Sequence, residues 1–184
     1  TTVSPTYSHE ILTSEYGERM EEVLRYRHDD LWGIVNGINT NEWNPKEDKL
    51  LAKNYSAKAW INGKKANKRA LQQELGLEVK DDVMLIGLVS RLTNQKGVYM
   101  ITEKMNEIMS LNVQFCILGT GEENAENSFK WLEHNYKGRA VYYCGYNEEL
   151  AHRVYAGSDL FLMPSIYEPC GIGQIIAQRY GTLP

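Results

Sequence analysis

The 184-residue chain contains no apolar run approaching the roughly 18 residues needed to span a bilayer, and its three cysteines form no CxxC pair. The first absence argues against a membrane helix. The second leaves no framework for a disulfide scaffold or a cysteine-based zinc site, so Cys116, Cys144 and Cys170 read as reduced thiols. Basic excess is also missing: 20 Lys and Arg face 24 Asp and Glu, a net charge of −4. Nucleic acid and anionic membranes therefore have no general attraction for it, and any anion site must be local. His9, His28, His134 and His152 lack metal-ligand spacing and read as surface or helix histidines. No Ser or Cys has a sequence-local partner that suggests a nucleophilic triad. Thr1 to Pro5 lacks the basic and hydrophobic parts of a signal peptide. A soluble, cytoplasmic protein is expected, with no metal or cofactor.

The chain has ordinary hydrophobic (42%) and charged (24%) content for a globular domain. Thr1 to Ser4 reads as a strand end closed by Pro5, Ser8 to Leu24 as a helix, and Leu31 to Val35 as a compact apolar strand ending at the Asn36-Gly37 turn signal. A long helix is expected over Ser56 to Leu75, stopped by Gly76, with Lys64, Lys65, Lys68 and Arg69 as a solvated basic face. From there strands and helices alternate regularly. The strands are Val83–Val89, Val113–Leu118, Ala140–Cys144 and Asp159–Met163, and the helices Gly97–Met109, Glu122–Tyr136, Glu148–Ala156 and Gly171–Arg179. Continuous Val/Ile/Leu/Phe strands between helices imply a parallel sheet covered on both faces. The expected fold class is α/β, a doubly wound Rossmann-like domain over residues 35–184, preceded by a connecting segment over residues 1–34.

In such a sheet the loops after successive strands gather on one rim, where ligands bind. Ser90-Arg91-Leu92-Thr93-Asn94-Gln95-Lys96-Gly97 offers a planar guanidinium and a compact ammonium, suited to a diphosphate, though taken alone such a loop is more often a plain surface loop. Gly119-Thr120-Gly121 permits either close approach to a ligand or a tight strand-to-helix turn. Tyr146 presents a ring that can stack on a nucleobase. In the last loop Glu168 follows an apolar run and precedes a helix opening on Gly171. It either serves the helix N-terminus or faces a substrate, with backbone N–H groups of Gly171 to Gln174 available to an anion.

The motifs Thr2-Val3-Ser4-Pro5-Thr6-Tyr7, Asn36-Gly37-Ile38-Asn39-Thr40 with Trp43-Asn44-Pro45, Val89 to Gly97, and Met163 to Gly171 running on through Tyr180-Gly181-Thr182-Leu183-Pro184 occur in order. The chain thereby resembles the bacterial ADP-glucose-dependent glycogen synthases and plant starch synthases along its whole length. The resemblance implies a retaining GT-B glycosyltransferase, of which this chain is the C-terminal, nucleotide-sugar half with the end of the N-terminal one. By motif, Arg91 and Lys96 would neutralise the donor diphosphate and Tyr146 would stack on adenine. Glu168 would support transfer of glucose, while Cys170, Gly171, Ile172 and Gly173 bring backbone groups to the donor and Asn36 reaches the cleft. The implied partners are ADP-glucose, an α-1,4-glucan (glycogen) and the remaining N-terminal domain, without which the fragment is expected to be inactive. Two departures stand out. Many relatives carry Thr at the position of Gly173, and related transferases with a Glu-x7-Glu motif place a second carboxylate where Ile176 stands. The other readings are a GT-B transferase of a different nucleotide sugar and a non-catalytic glucan-binding module.

Overall fold

The computed structural model describes residues 1–184, which divide into two compact units: residues 1–38 with 167–172, and residues 39–166 with 173–184.

In the first unit, helix α1 (Pro5–Glu10) starts on Ser4, whose Oγ accepts from the Tyr7 amide at 3.0 Å, with Pro5 in the first turn where its missing N–H costs nothing. The helix expected over Ser8 to Leu24 is instead two short pieces. Gly17 is followed by left-handed Glu18 and Arg19 (φ 50° and 69°), and α2 runs only over Glu21–Tyr26. Its side chains are all at least partly exposed, so no apolar face drives a longer helix. The strand expected at Leu31 to Val35 is also absent. Thr2 bridges Gly33 through two hydrogen bonds of 2.8 Å, while Trp32, Ile34 and Val35 stay exposed. One bridge gives no second residue pair to extend a ladder.

The second unit carries the sheet. Strands β1 (Met84–Val89), β2 (Val113–Gly119), β3 (Ala140–Cys144) and β4 (Leu160–Phe161) pair in parallel in the order β3-β2-β1-β4. This is the doubly wound arrangement expected, with the order reversing between β1 and β4. β4 is shorter than expected because only Ile86–Leu160 and Gly87–Phe161 pair on that edge. One face of the sheet packs on α4 (Val98–Glu103), α5 (Met105–Ser110) and α6 (Glu123–Asn135) through Ile86, Leu88, Met109, Phe115, Ile117 and Phe129. The helix expected over Gly97–Met109 breaks at Lys104 into α4 and α5. On the other face lie α7 (Glu148–Gly157) and α3 (Trp60–Glu74), which pack together. Helix α8 (Ile172–Arg179) follows the last rim loop.

The basic face of α3 is not solvated as expected. Lys64 and Lys68 are 8% and 4% exposed. Lys64 Nζ donates to the Ser158 carbonyl at 2.6 Å and to Thr182 Oγ1 at 2.5 Å. Burial, with Lys68 beside it, pushes its pKa down to about 7 despite Asp159. Lys68 Nζ donates to the Val83 carbonyl at 2.5 Å and pairs with Asp159 at 2.6 Å, while the Leu85 amide donates to the same carboxylate oxygen at 2.8 Å. Only Lys65 and Arg69 remain outside, Arg69 bridging to Asp81.

Candidate functional site

The loops at the carboxyl ends of β1, β2 and β3 form one connected rim. Leu92 and Thr120 share a 2.9 Å hydrogen bond, the Glu122 amide donates to the Leu92 carbonyl at 2.8 Å, and the Gly145 amide donates to the Gly119 carbonyl at 3.1 Å. Gly119 is required by this junction: a Cβ there would drive into the Ser90 carbonyl. Its small size therefore serves the approach of two loops, a role distinct from either ligand contact or a tight turn. At the end of the β1 loop Gly97 has φ 68°, and a Cβ would meet the Pro164 carbonyl. The loops after β1 and β4 thus run backbone against backbone at the point where the strand order reverses, and the Ile166 amide donates to the Gln95 carbonyl at 3.0 Å.

Two glutamates brace the rim. Glu122 accepts from the Asn94 amide at 2.9 Å and from Tyr99 Oη at 2.5 Å, and these bonds hold its carboxyl below the usual range. Glu126 accepts from Thr120 Oγ1 at 2.6 Å, the Gly121 amide at 3.0 Å and Cys144 Sγ at 3.4 Å. The Thr120 hydroxyl, then the Gly121 amide, then the Cys144 thiol pull its pKa down to about 2. Neither glutamate stood out in the sequence. Their position directly after Gly119-Thr120-Gly121, four residues apart in and beside the first turn of α6, was the available signal.

A cavity of about 240 Å³ opens on this rim, lined by Ser90, Arg91, Gly119, Thr120, Tyr146 and Asn147 among others. Arg91 is exposed and its guanidinium makes no hydrogen bond or ion pair within the protein. Tyr146 is 85% exposed, and Asn147 caps α7 by accepting from the Leu150 amide at 2.9 Å, which fixes the turn that presents the ring. Lys96 is half-buried at the end of the same loop as Arg91, in a 3-10 turn over Asn94–Lys96. Of the expected site residues, Arg91 and Tyr146 therefore share one cavity. Gly173 lies in the first turn of α8 against the Phe161 ring, and Ile176 is buried, so that position serves the core. A larger cavity of about 450 Å³, lined by Tyr55, Trp60 and Arg179, contains none of the expected residues.

The first unit holds the others. Glu168 and Cys170 are half-buried in the 167–172 segment, Gly171 is buried with φ 77°, and Ile172 and Asn36 are exposed. Tyr167 anchors this segment, stacked on Tyr16 at 5.4 Å and edge-on to Tyr7 at 5.6 Å, with burial raising its hydroxyl pKa. The three cysteines are free thiols, and burial pushes the Cys116 pKa up to about 12.

A parallel sheet that carries a cation and an aromatic ring on the loops beyond the carboxyl ends of its strands has the layout of nucleotide-binding α/β proteins. The family model for "Glycosyl transferases group 1" matches residues 83–183, and the chain belongs to that family. It is 50% identical over 184 residues to a glycogen synthase of Desulforudis audaxviator, covering 100% of this chain and 36% of that one. A glycogen synthase of Clostridium perfringens is 51% identical over 183 residues, with 100% and 38% covered. The catalytic domain of starch synthase IV from Arabidopsis thaliana, bound to ADP and acarbose, superposes with a TM-score of 0.92 at 40% identity over 100% of this chain and 38% of that one. Sucrose-phosphate synthase from Thermosynechococcus elongatus, at 20% identity and a TM-score of 0.54 over 98% of this chain and 38% of that one, shares the fold. The chain thus spans 36 to 38% of the length of these curated relatives. No helix is long and apolar enough to cross a membrane.

Proposed function

We propose that this chain is the nucleotide-sugar half of a glycogen synthase, which transfers glucose from ADP-glucose to the non-reducing end of an α-1,4-glucan with retention of configuration. The observation that carries the reading is the rim cavity, where an unpaired Arg91 guanidinium and an exposed Tyr146 ring face one space. The relatives' names and the ADP held by the Arabidopsis enzyme support the same assignment.

In this reading Tyr146 stacks on adenine, and Arg91 and Lys96 neutralise the diphosphate. Cleaving the bond between glucose and diphosphate builds negative charge on the leaving phosphate, so cations fixed there lower the barrier by more than they tighten donor binding. Positive charge develops at the anomeric carbon, and Glu168 is the carboxylate assigned to stabilise it. Cys170, Gly171, Ile172 and Gly173 bring backbone groups to the donor, and Asn36 reaches it from the connecting segment. No cofactor or metal takes part in transfer. The whole enzyme acts in the cytoplasm, with the rest of its N-terminal domain supplying the acceptor side.

Radiolabelled ADP-glucose and UDP-glucose, each offered with glycogen to the full-length protein, test the proposal. Label incorporated from ADP-glucose, and lost on Glu168→Ala, is expected. Preference for UDP-glucose would move the chain to another transferase of the same fold, and glucan binding without nucleotide binding would make it a carbohydrate-binding module.

A further inference from the structure

His152 is 3% exposed on α7, yet its imidazole is only half used by the core. Nδ1 lies 2.7 Å from Asp48 Oδ2, and that carboxylate oxygen also accepts from Tyr180 Oη at 2.5 Å. A carboxylate accepts, so Nδ1 is the donor to Asp48, and in the neutral imidazole Nε2 offers its lone pair. Trp43 stacks on the ring at 3.9 Å and fixes its plane. A ring nitrogen of His152 and one carboxylate oxygen each from Glu42 and Glu148 all lie within 4.8 Å of one another. With Nδ1 engaged, Nε2 is the nitrogen available to that group.

We propose that Glu42, Glu148 and His152 form a binding site for a divalent transition-metal ion, of which zinc is the test case. Three geometric points support it. Glu148 and His152 are four residues apart on α7, the spacing that places two side chains on one helix face. Asp48 behind Nδ1 is the carboxylate–histidine pairing that orients an imidazole toward a metal and raises its basicity. The spacing is also within reach: atoms no more than 4.8 Å apart leave a centre within about 2.8 Å of each, against bonds of roughly 2.0–2.2 Å to zinc. The two glutamates are exposed and can close that gap while the histidine stays fixed. Glu42 Oε2 accepts from Asn39 Nδ2 at 3.2 Å and Glu148 Oε2 from Tyr146 Oη at 3.4 Å, so each carboxylate keeps its other oxygen for an ion. One nitrogen and two oxygens suit zinc and its neighbours, whereas magnesium selects all-oxygen sites. The ion would clamp the Asn39–Asp48 segment to α7. This makes it a structural site with no part in the transfer reaction.

The test is thermal unfolding of the purified protein with zinc or magnesium at micromolar concentration, alongside the E42Q/E148Q double variant. Both changed residues are exposed, so the metal-free Tm should stay within about 2 °C of wild type. Zinc is expected to raise the wild-type Tm by about 3–6 °C, magnesium to leave it unchanged, and the double variant to lose the zinc shift. The absence of a zinc shift in the wild type overturns the proposal, as does an undiminished shift in E42Q/E148Q. X-ray absorption of the zinc-loaded protein gives an independent readout: one imidazole with oxygen ligands is expected, and a sulfur ligand contradicts the site.

Discussion

Lys64 and Lys68 on α3 and Arg91 and Lys96 on the rim are alike in sequence, two pairs of cations four or five residues apart. The fold uses them in opposite ways. Lys64 and Lys68 are enclosed, each Nζ committed to carbonyls, a hydroxyl or Asp159. Arg91 faces a cavity and commits its guanidinium to nothing in the protein. Buried cations with every donor used hold the fold together. An unpaired guanidinium held in place by a braced loop is available to a ligand, and the difference lies in the surroundings alone.

This contrast predicts a double dissociation. Arg91→Ala in the full-length protein should lower kcat/KM about 10²–10³-fold, the usual cost of deleting one group that meets developing charge, with Tm moved by no more than about 1 °C. Steady-state kinetics beside a thermal melt check it, and a large fall in Tm would erase the distinction between the two pairs. Lys68→Met should do the reverse. It strands Asp159 and the Val83 carbonyl, so unfolding in urea should show a loss of about 2–4 kcal/mol, with kcat/KM of the folded population nearly unchanged.

A smaller effect is expected at the cavity's other wall. Tyr146→Ala should weaken nucleotide binding roughly tenfold, within the usual range for stacking on a base, while Tyr146→Phe should keep most of it. Calorimetry distinguishes the two. The smallest effect concerns acid. Glu126 has a folded pKa lowered to about 2 from the usual carboxylate value, so its contribution is present above about pH 4.5 and is lost as pH falls toward 2. Protection of the Gly121 amide against exchange, relative to its intrinsic rate at each pH, should fall across that window, and Glu126→Gln should remove the pH step.

Much of the second unit was legible in the sequence because its strands are continuous apolar runs. Leu85 to Leu88, Phe115 to Leu118 and the α6 and α7 segments each bury on a helix or strand period, and their order alone implied a parallel sheet. The first unit was not legible for the opposite reason. Leu31 to Val35 is as apolar as a strand but finds only Thr2 to pair with, and the segment from Ser8 to Leu24 leaves the helix after Glu10 and resumes it only at Glu21, in a turn of helix with no buried face. Lys64 and Lys68 read as solvated in the sequence because periodicity cannot reveal that Ser158, Thr182 and Asp159 come from elsewhere in the chain to receive them. The cluster of Glu42, Glu148 and His152 was invisible on the same ground, since one ligand lies more than a hundred residues from the other two.

The most direct test of the account is calorimetric titration of ADP into the full-length protein and its Arg91→Ala variant. Binding to the wild type, weakened at least tenfold by the substitution, is the predicted result. Equal affinity for both proteins would contradict the assignment of the rim cavity to the nucleotide diphosphate.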